Sequence, residues 1–205
     1  MDMAGRVRRT AIRLARITNV TAVSFGLMEG AWTALREADL SFTGDYRGIV
    51  ELYCGECEWM TVIRLRALFD RDGDSYQRVC RRLQDLEVVD VLVRLVCDDQ
   101  PAITEEHVRS SFNEFIRLHE KARNRDLRSR LVHSYDIGLA DPIAWLDEQP
   151  SRDELRDLVR LARDLASCLE PLTESDVASW PEDEIRDHTQ RAARIWRAAE
   201  PELGF

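Results

Sequence analysis

Residues 104–136 read TEEHVRSSFNEFIRLHEKARNRDLRSRLVHSYD, and the fold prediction starts from their helical pattern. Apolar residues recur in it at steps of three and four: Val108, Phe112, Phe115 and Ile116. This spacing places their side chains on one face of an α-helix. Thr104 precedes two glutamates and is suited to cap the first turn. The stretch therefore predicts a long amphipathic helix with one buried face.

The same helical face becomes polar towards its C-terminal end. At helical spacing it passes through His119, Arg123 and Asp126. A polar residue on a stripe that faces a core usually indicates a partner helix, a bend or a site. Residues 121–130 also hold four arginines and a lysine against one aspartate, a local balance of +4. A functional site is therefore first expected at the end of this helix.

Helical patterns extend over most of the 205 residues, which include only nine glycines and six prolines. The predicted helices cover residues 4–38, 46–69, 75–86, 88–97, 104–133, 151–169 and 181–199, and residues 134–150 are predicted as a loop. Residues 88–97, VVDVLVRLVC, are rich in β-branched side chains, but no other segment offers them a partner strand. We therefore predict a helix there as well, and an all-α fold for the chain.

Local signals place several helix ends. Asp72-Gly73 predicts a turn, with Asp74 or Ser75 as the cap of a short helix that buries Val79, Leu83 and Leu86. Residues 151–154, SRDE, form a predicted capping box. The predicted inner face of the second helix is Ile49, Tyr53, Met60, Ile63 and Ala67. We expect a helical domain over residues 1–140, with residues 141–205 packed on it as a C-terminal helical hairpin.

The net charge of −9 argues against a polyanionic partner for the chain as a whole, but the charges are segregated. A second basic cluster lies in residues 3–28, which contain no acid and five arginines: Arg6, Arg8, Arg9, Arg13 and Arg16. Arginines at a helix N-terminus oppose the helix dipole at about 0.3–1 kcal/mol each. An anionic ligand or an acidic neighbouring helix would relieve that cost. The two clusters indicate either a surface that meets anions or two solvated helix faces.

Several function classes do not fit the chain. Five cysteines, an odd and scattered number, do not form a disulfide framework. The Cys54–Cys57 pair lies in a helical pattern without a second pair, so no zinc ribbon, metal or cofactor is predicted. There is no run of eighteen apolar residues, and the N-terminal segment lacks the apolar core of a signal peptide. We therefore expect a cytoplasmic protein without a membrane partner.

Arg128 and His133 are the residues best suited to chemistry. RNA cleavage without a metal needs proton transfer and a cation beside the phosphate. An arginine holds a phosphate bidentately, and a histidine transfers protons near neutral pH. Five residues of a straight helix turn through about 140°, so these two do not share a face. Either the helix is interrupted between them, or a second copy completes the site across a two-fold axis.

Residues 128–135, RSRLVHSY, resemble the R-x(4–6)-H motif of the HEPN superfamily (higher eukaryotes and prokaryotes nucleotide-binding). Residues 62–83, VIRLRALFDRDGDSYQRVCRRL, are similar to its abortive-infection U-type branch. The resemblance covers roughly residues 20–140, and Ser129 stands where the family usually has Asn, Asp or His. It implies an antiparallel helical bundle, commonly dimeric. Many members are metal-independent endoribonucleases of phage-defence or toxin–antitoxin systems.

The resemblance assigns phosphate contact to Arg128 and proton transfer to His133. The surrounding RNA-binding residues would be Lys121, Arg123, Arg125 and Arg130. The leading hypothesis is a homodimeric endoribonuclease that acts on RNA and has an antitoxin protein as a further partner. The alternatives are a non-catalytic HEPN-like module that binds a nucleotide, RNA or a protein, and a purely structural helical protein. The other histidines, His107, His119 and His188, are expected at the surface or as caps.

Overall fold

A computed structural model describes residues 3–37, 44–70, 74–123, 150–173 and 182–202. These ranges contain helices and no strand: α1 (Met3–Glu37), α2 (Gly44–Phe69), α3 (Tyr76–Leu83), α4 (Leu86–Asp99), α5 (Glu105–Arg123), α6 (Arg152–Cys168), a 3₁₀ turn (Glu170–Leu172) and α7 (Glu182–Glu202). The predicted all-α fold is confirmed. Helix α4 forms across the β-branched segment, as expected for a segment without a partner strand.

The chain divides into two compact units. The first unit contains Met1–Asn19 and Arg64–Ser179, and the second contains Val20–Ile63 and Trp180–Phe205. Of the two helices predicted as a C-terminal hairpin, α6 belongs to the first unit and α7 to the second. The domain boundary predicted at residue 140 lies outside the described residues and stays a prediction.

The core of the first unit forms between α3, α4, α5 and α6. Their fully or nearly fully buried apolar side chains include Val79, Leu83, Leu92, Val96, Val108, Phe112, Phe115, Leu155, Leu158 and Leu165. Burial of each such side chain favours folding by roughly 1.5–3 kcal/mol before entropy costs. The apolar face predicted for α5 is the face that this core buries.

Tyr76 lies at the centre of this core and is completely buried. Its ring packs against Phe69 and Phe115, with centroid distances of 5.7 and 5.9 Å. The hydroxyl donates a hydrogen bond of 2.9 Å to the carbonyl of Ala162, and its oxygen lies 2.6 Å from the hydroxyl of Thr18. Because a carbonyl can only accept, the single tyrosine proton goes to Ala162, and Thr18 donates to Tyr76. One side chain therefore ties together α1, α3 and α6.

Helices α1 and α7 approach closely in the second unit. A Cβ atom built on Gly30 would lie 2.4 Å from the carbonyl oxygen of Thr189 and 2.8 Å from the Cβ of Ala192. Only glycine fits at this crossing. In the same unit, the rings of Tyr53 and Trp196 pack with centroids 4.9 Å apart.

The predicted caps of α5 and α6 are confirmed. The Thr104 hydroxyl accepts from the backbone N–H of His107 at 3.2 Å. The Ser151 hydroxyl accepts from the N–H of Glu154, and the Glu154 carboxylate accepts from the N–H of Ser151 in return. Ser75 does precede α3, but its hydroxyl donates to the carbonyl of Asp70 at 2.6 Å and makes no cap hydrogen bond.

Two details of the predicted packing are wrong. On α2 the predicted inner residues Ile49 and Met60 are 43% and 37% exposed. The buried side chains are instead Val50, Cys54, Glu58, Thr61, Val62, Leu65, Leu68 and Phe69. Apolar residues surround much of this helix, so their spacing alone does not distinguish one face from the next. Leu86 is 75% exposed because α3 ends at Leu83 and a new helix begins at Leu86, capped by Asp85.

No helix within the described ranges is both long enough and apolar enough to span a bilayer.

Candidate anion-binding site

The residues predicted to form a catalytic site fall at the edge of the described structure or outside it. Lys121 is exposed near the end of α5, and Arg123 is the last residue of that helix. The side chain of Arg123 lies outside the description. So do four other predicted site residues: Arg125, Arg128, Arg130 and His133. Their assigned roles therefore stay predictions.

His119 is a core residue, so its predicted surface position is wrong. Its side chain is only 6% exposed, and its ring stacks on that of Phe115 with centroids 6.3 Å apart and planes inclined by 16°. The physical reason is the continuation of the buried α5 face by one further turn. The polar residue on that stripe thus packs within the first unit.

The N-terminal arginine cluster, in contrast, lies fully within the described structure and borders a cavity of about 500 Å³. The cavity is lined by α1, by α3 and by the residue two before α3: Met3, Arg6, Val7, Arg9, Thr10, Arg13, Asp74, Arg78, Val79 and Arg82. Five arginines and one carboxylate therefore face this cavity among the described residues. We call it the arginine cavity.

Helical spacing explains why these arginines converge. Arg6, Arg9 and Arg13 are separated by three and four residues, so one face of α1 carries all three. Arg78 and Arg82 are four residues apart on α3 and likewise share a face. Buried Val7 and Val79 lie among them and give the cavity an apolar floor.

Asp74 connects the two sets of arginines. One carboxylate oxygen lies 3.0 Å from Nη1 of Arg13, and the other lies 2.7 Å from Nη1 of Arg78. The neighbouring hydrogen bond from Ser75 to the carbonyl of Asp70 fixes the backbone that presents this carboxylate. Asp74 thus neutralises part of the arginine charge from inside the arginine cavity.

The remaining arginines differ in their partners. Arg8 pairs with Asp99 of α4 at 2.5 Å and does not line the cavity. Arg6, Arg9 and Arg82 form no ion pair with another described residue. Acidic neighbours, one of the two explanations offered by the sequence, thus relieve Arg8 and Arg13, whereas the other three have no such neighbour within the described residues.

The charge of the arginine cavity opposes that of the whole chain. Its described lining carries an excess of four positive charges in a protein of net charge −9. Guanidinium groups form paired hydrogen bonds with phosphate or carboxylate oxygens. In a partly enclosed cavity, water and salt screen these interactions less than at an open surface. Neither histidine nor cysteine occurs among the described lining residues. The lining is therefore suited to hold an anion rather than to transfer protons.

The described part of the chain contains no arrangement of side chains suited to metal binding or to thiol chemistry. No group of three or more His, Cys, Asp or Glu side chains there is arranged to hold a metal ion. Cys54 is buried on α2, and burial raises the pKa of the Cys168 thiol to about 11. Such a thiol remains protonated and weakly nucleophilic at neutral pH.

The sequence identified the arginines of α1 but not the contribution of α3. Asp74, Arg78 and Arg82 stand at steps of four, a spacing that places acid and bases along one helix edge. This signal was available within residues 62–83. The sequence does not show that this edge faces the N-terminal third of α1. That arrangement depends on contacts such as the one between Thr18 and Tyr76, two residues that are 58 positions apart in sequence.

Comparison of the chain with protein-family models, curated proteins and solved structures found no match. The HEPN resemblance therefore stays a prediction from residues 62–83 and 128–135.

Proposed function

We propose that this chain binds RNA through its phosphates, with the arginine cavity as the contact surface. The observation that carries the proposal is the convergence of five arginines from two helices around a single carboxylate, within the described lining. Three of these arginines have no ion-pair partner among the described residues. Unpaired guanidinium groups held side by side favour a multiply charged anion over solvent.

RNA is the favoured ligand because the sequence adds a second basic cluster and a family resemblance. Residues 121–130 carry a local balance of +4, and Lys121 in this cluster is exposed. An RNA strand offers phosphates at regular intervals, so separate basic clusters can each neutralise part of it. The resemblance to HEPN proteins, many of which act on RNA, supports the same ligand.

The catalytic form of this proposal adds Arg128 and His133. In that form the chain is a homodimeric, metal-independent endoribonuclease of phage defence or of a toxin–antitoxin pair, located in the cytoplasm and held in check by an antitoxin protein. Arg128 contacts the scissile phosphate, and His133 transfers the proton. The non-catalytic form uses the same arginines for binding alone.

The salt dependence of RNA binding tests the proposal. For single strands, log affinity falls with log salt concentration by about 0.7 for each phosphate neutralised. A triple variant, Arg6→Ala with Arg9→Ala and Arg82→Ala, should bind a single-stranded RNA more weakly. Because this variant loses three phosphate contacts, its plot of log affinity against log salt concentration should be shallower than that of the wild type by about 2.

A matched control removes arginines from the same two helices outside the arginine cavity. Arg16 and Arg81 are exposed on α1 and α3 and do not line it. The double variant Arg16→Ala with Arg81→Ala should keep the wild-type slope to within about one unit. Equal slopes for the wild type and the triple variant would exclude the arginine cavity as the RNA contact.

A further inference from the structure

We propose that the arginine cavity takes a terminal polyphosphate group, and that Asp74 is the internal carboxylate which this group replaces on Arg13 and Arg78. The inference rests on the proposed function and names the ligand chemistry of the same site. It follows from three features of the described residues: the charge density of the lining, the size of the cavity and the geometry of the two Asp74 ion pairs.

The charge density of the lining favours a compact polyanion. Five arginines surround about 500 Å³, the volume of an ordinary small-molecule site. An internal RNA phosphate carries one charge and is separated from the next by a whole nucleotide. A phosphate monoester carries about 1.5–2 charges, and a triphosphate concentrates three to four on adjacent groups. Only the polyphosphate matches the excess of four positive charges within the described lining.

Asp74 holds the position that a phosphate would take. Its two oxygens bind one guanidinium from each helix, at 3.0 Å to Arg13 and 2.7 Å to Arg78. A phosphate group offers three oxygens with the same affinity for arginine forks and can bridge the same pair. The Asp74 side chain is 33% exposed, so an incoming anion can reach it from solvent. Asp74 therefore competes with the ligand and excludes weakly charged anions.

The two roles that Asp74 could have predict opposite effects of removing its charge. If Asp74 served only to hold α1 and α3 together, Asp74→Asn would loosen the arginines and weaken anion binding. If it occupies the anion position, Asp74→Asn should strengthen binding. One unit charge at about 4 Å in water corresponds to about 1 kcal/mol, or about fivefold in affinity.

The control removes a comparable carboxylate elsewhere. Asp90 pairs with Arg109 at 2.7 Å, its side chain is 50% exposed, and neither residue lines the arginine cavity. Asp90→Asn changes the net charge by the same amount. It should therefore alter polyphosphate affinity by less than about twofold, because only whole-chain repulsion changes.

The experiment is a titration of the full chain with inorganic tripolyphosphate, followed by its competition against labelled single-stranded RNA. Tripolyphosphate should bind, should displace the RNA, and should bind Asp74→Asn about fivefold more tightly than the wild type. RNA with a 5′-triphosphate should bind more tightly than the same RNA with a 5′-hydroxyl. If a free nucleoside triphosphate competes equally well, the source of the polyphosphate is the nucleotide rather than an RNA end.

The outcomes separate this inference from the proposed function. If 5′-hydroxyl RNA binds as well as 5′-triphosphate RNA and tripolyphosphate does not compete, the inference is overturned while RNA binding stands. Weaker tripolyphosphate binding by Asp74→Asn would overturn it too. If tripolyphosphate binds and no RNA does, RNA binding is overturned and the polyphosphate site remains.

Discussion

The hydroxyl groups of Thr18 and Tyr76 lie 2.6 Å apart in the core of the first unit. This hydrogen bond joins α1 to α3, the two helices that carry the arginines of the arginine cavity. The exposed ion pairs of Asp74 contribute little to stability, since such pairs are worth about 0–1 kcal/mol. The buried hydrogen bonds of Tyr76, rather than the ion pairs, therefore set the distance between the two arginine rows.

The first prediction concerns these hydrogen bonds. Tyr76→Phe removes the donor to the Ala162 carbonyl and the acceptor for Thr18, so each of these buried groups loses its hydrogen bond to Tyr76. We expect the free energy of unfolding to fall by about 1–3 kcal/mol in urea denaturation. Thr18→Val removes only one of the two bonds and should cost less. A Tyr76→Phe variant as stable as the wild type would show that the core does not depend on this hydroxyl.

Tyr76 also predicts a loss of stability at alkaline pH. Burial, partly offset by the Thr18 hydrogen bond, raises the pKa of Tyr76 above the value near 10 of an unfolded tyrosine. Above about pH 10 the unfolded chain loses this proton while the folded chain keeps it, so unfolding becomes more favourable. This part of the stability is complete below about pH 10 and is lost as pH rises towards the folded pKa.

The measurement compares urea unfolding at about pH 8 and about pH 11 for the wild type and Tyr76→Phe. The variant should lose less stability than the wild type between the two values. Cys168, whose pKa is raised to about 11 by burial, is present in both proteins, so its own titration enters both measurements. An identical loss in both would contradict the assignment to Tyr76.

Gly30 predicts a packing effect in the second unit. An alanine there would place its Cβ 2.4 Å from the Thr189 carbonyl oxygen, so α1 and α7 must move apart. We expect Gly30→Ala to lower the free energy of unfolding by about 1–3 kcal/mol. Gly48 and Gly55 of α2 have no atom within 4 Å of a built Cβ. Their alanine variants should instead gain about 0.5–1 kcal/mol, and similar results at all three positions would contradict the close crossing.

The catalytic form of the proposal makes a separate prediction. The purified protein should cleave RNA in the presence of EDTA, and Arg128→Ala and His133→Ala should each abolish cleavage without unfolding the chain. Loss of the histidine removes proton transfer, which contributes about 10²–10⁴-fold to a rate. If both variants cleave like the wild type, these residues are not the catalytic pair, while RNA binding at the arginine cavity is unaffected.

The sequence predicted the features of this protein that depend on neighbouring residues. The all-α fold, the capping box at Ser151 and the inner face of α5 follow from helical spacing and capping chemistry, and the structure has them. The inner face of α2 was not predicted correctly, because apolar residues lie on several of its sides and Thr61 and Cys54 occupy buried positions. Its burial depends on neighbours that are distant in sequence.

The candidate site was predictable only in part for the same reason. The arginines of α1 are visible as a cluster without acids in residues 3–28. Arg78 and Arg82 join this cluster, and Asp74 neutralises part of its charge, only because α3 packs beside α1. The buried Thr18–Tyr76 pair holds the two helices together. No local pattern encodes that contact.

RNA binding at the arginine cavity is tested most directly by two neighbouring charge reversals, Arg82→Glu and Arg81→Glu. The affinity of each variant for single-stranded RNA is measured at one salt concentration. Arg82 lines the arginine cavity, whereas Arg81 is exposed beside it in sequence and faces elsewhere. Both changes alter the net charge equally, so general repulsion cancels. We expect Arg82→Glu to weaken binding by about tenfold or more and Arg81→Glu to weaken it by less than about threefold. Equal losses for the two variants would contradict it.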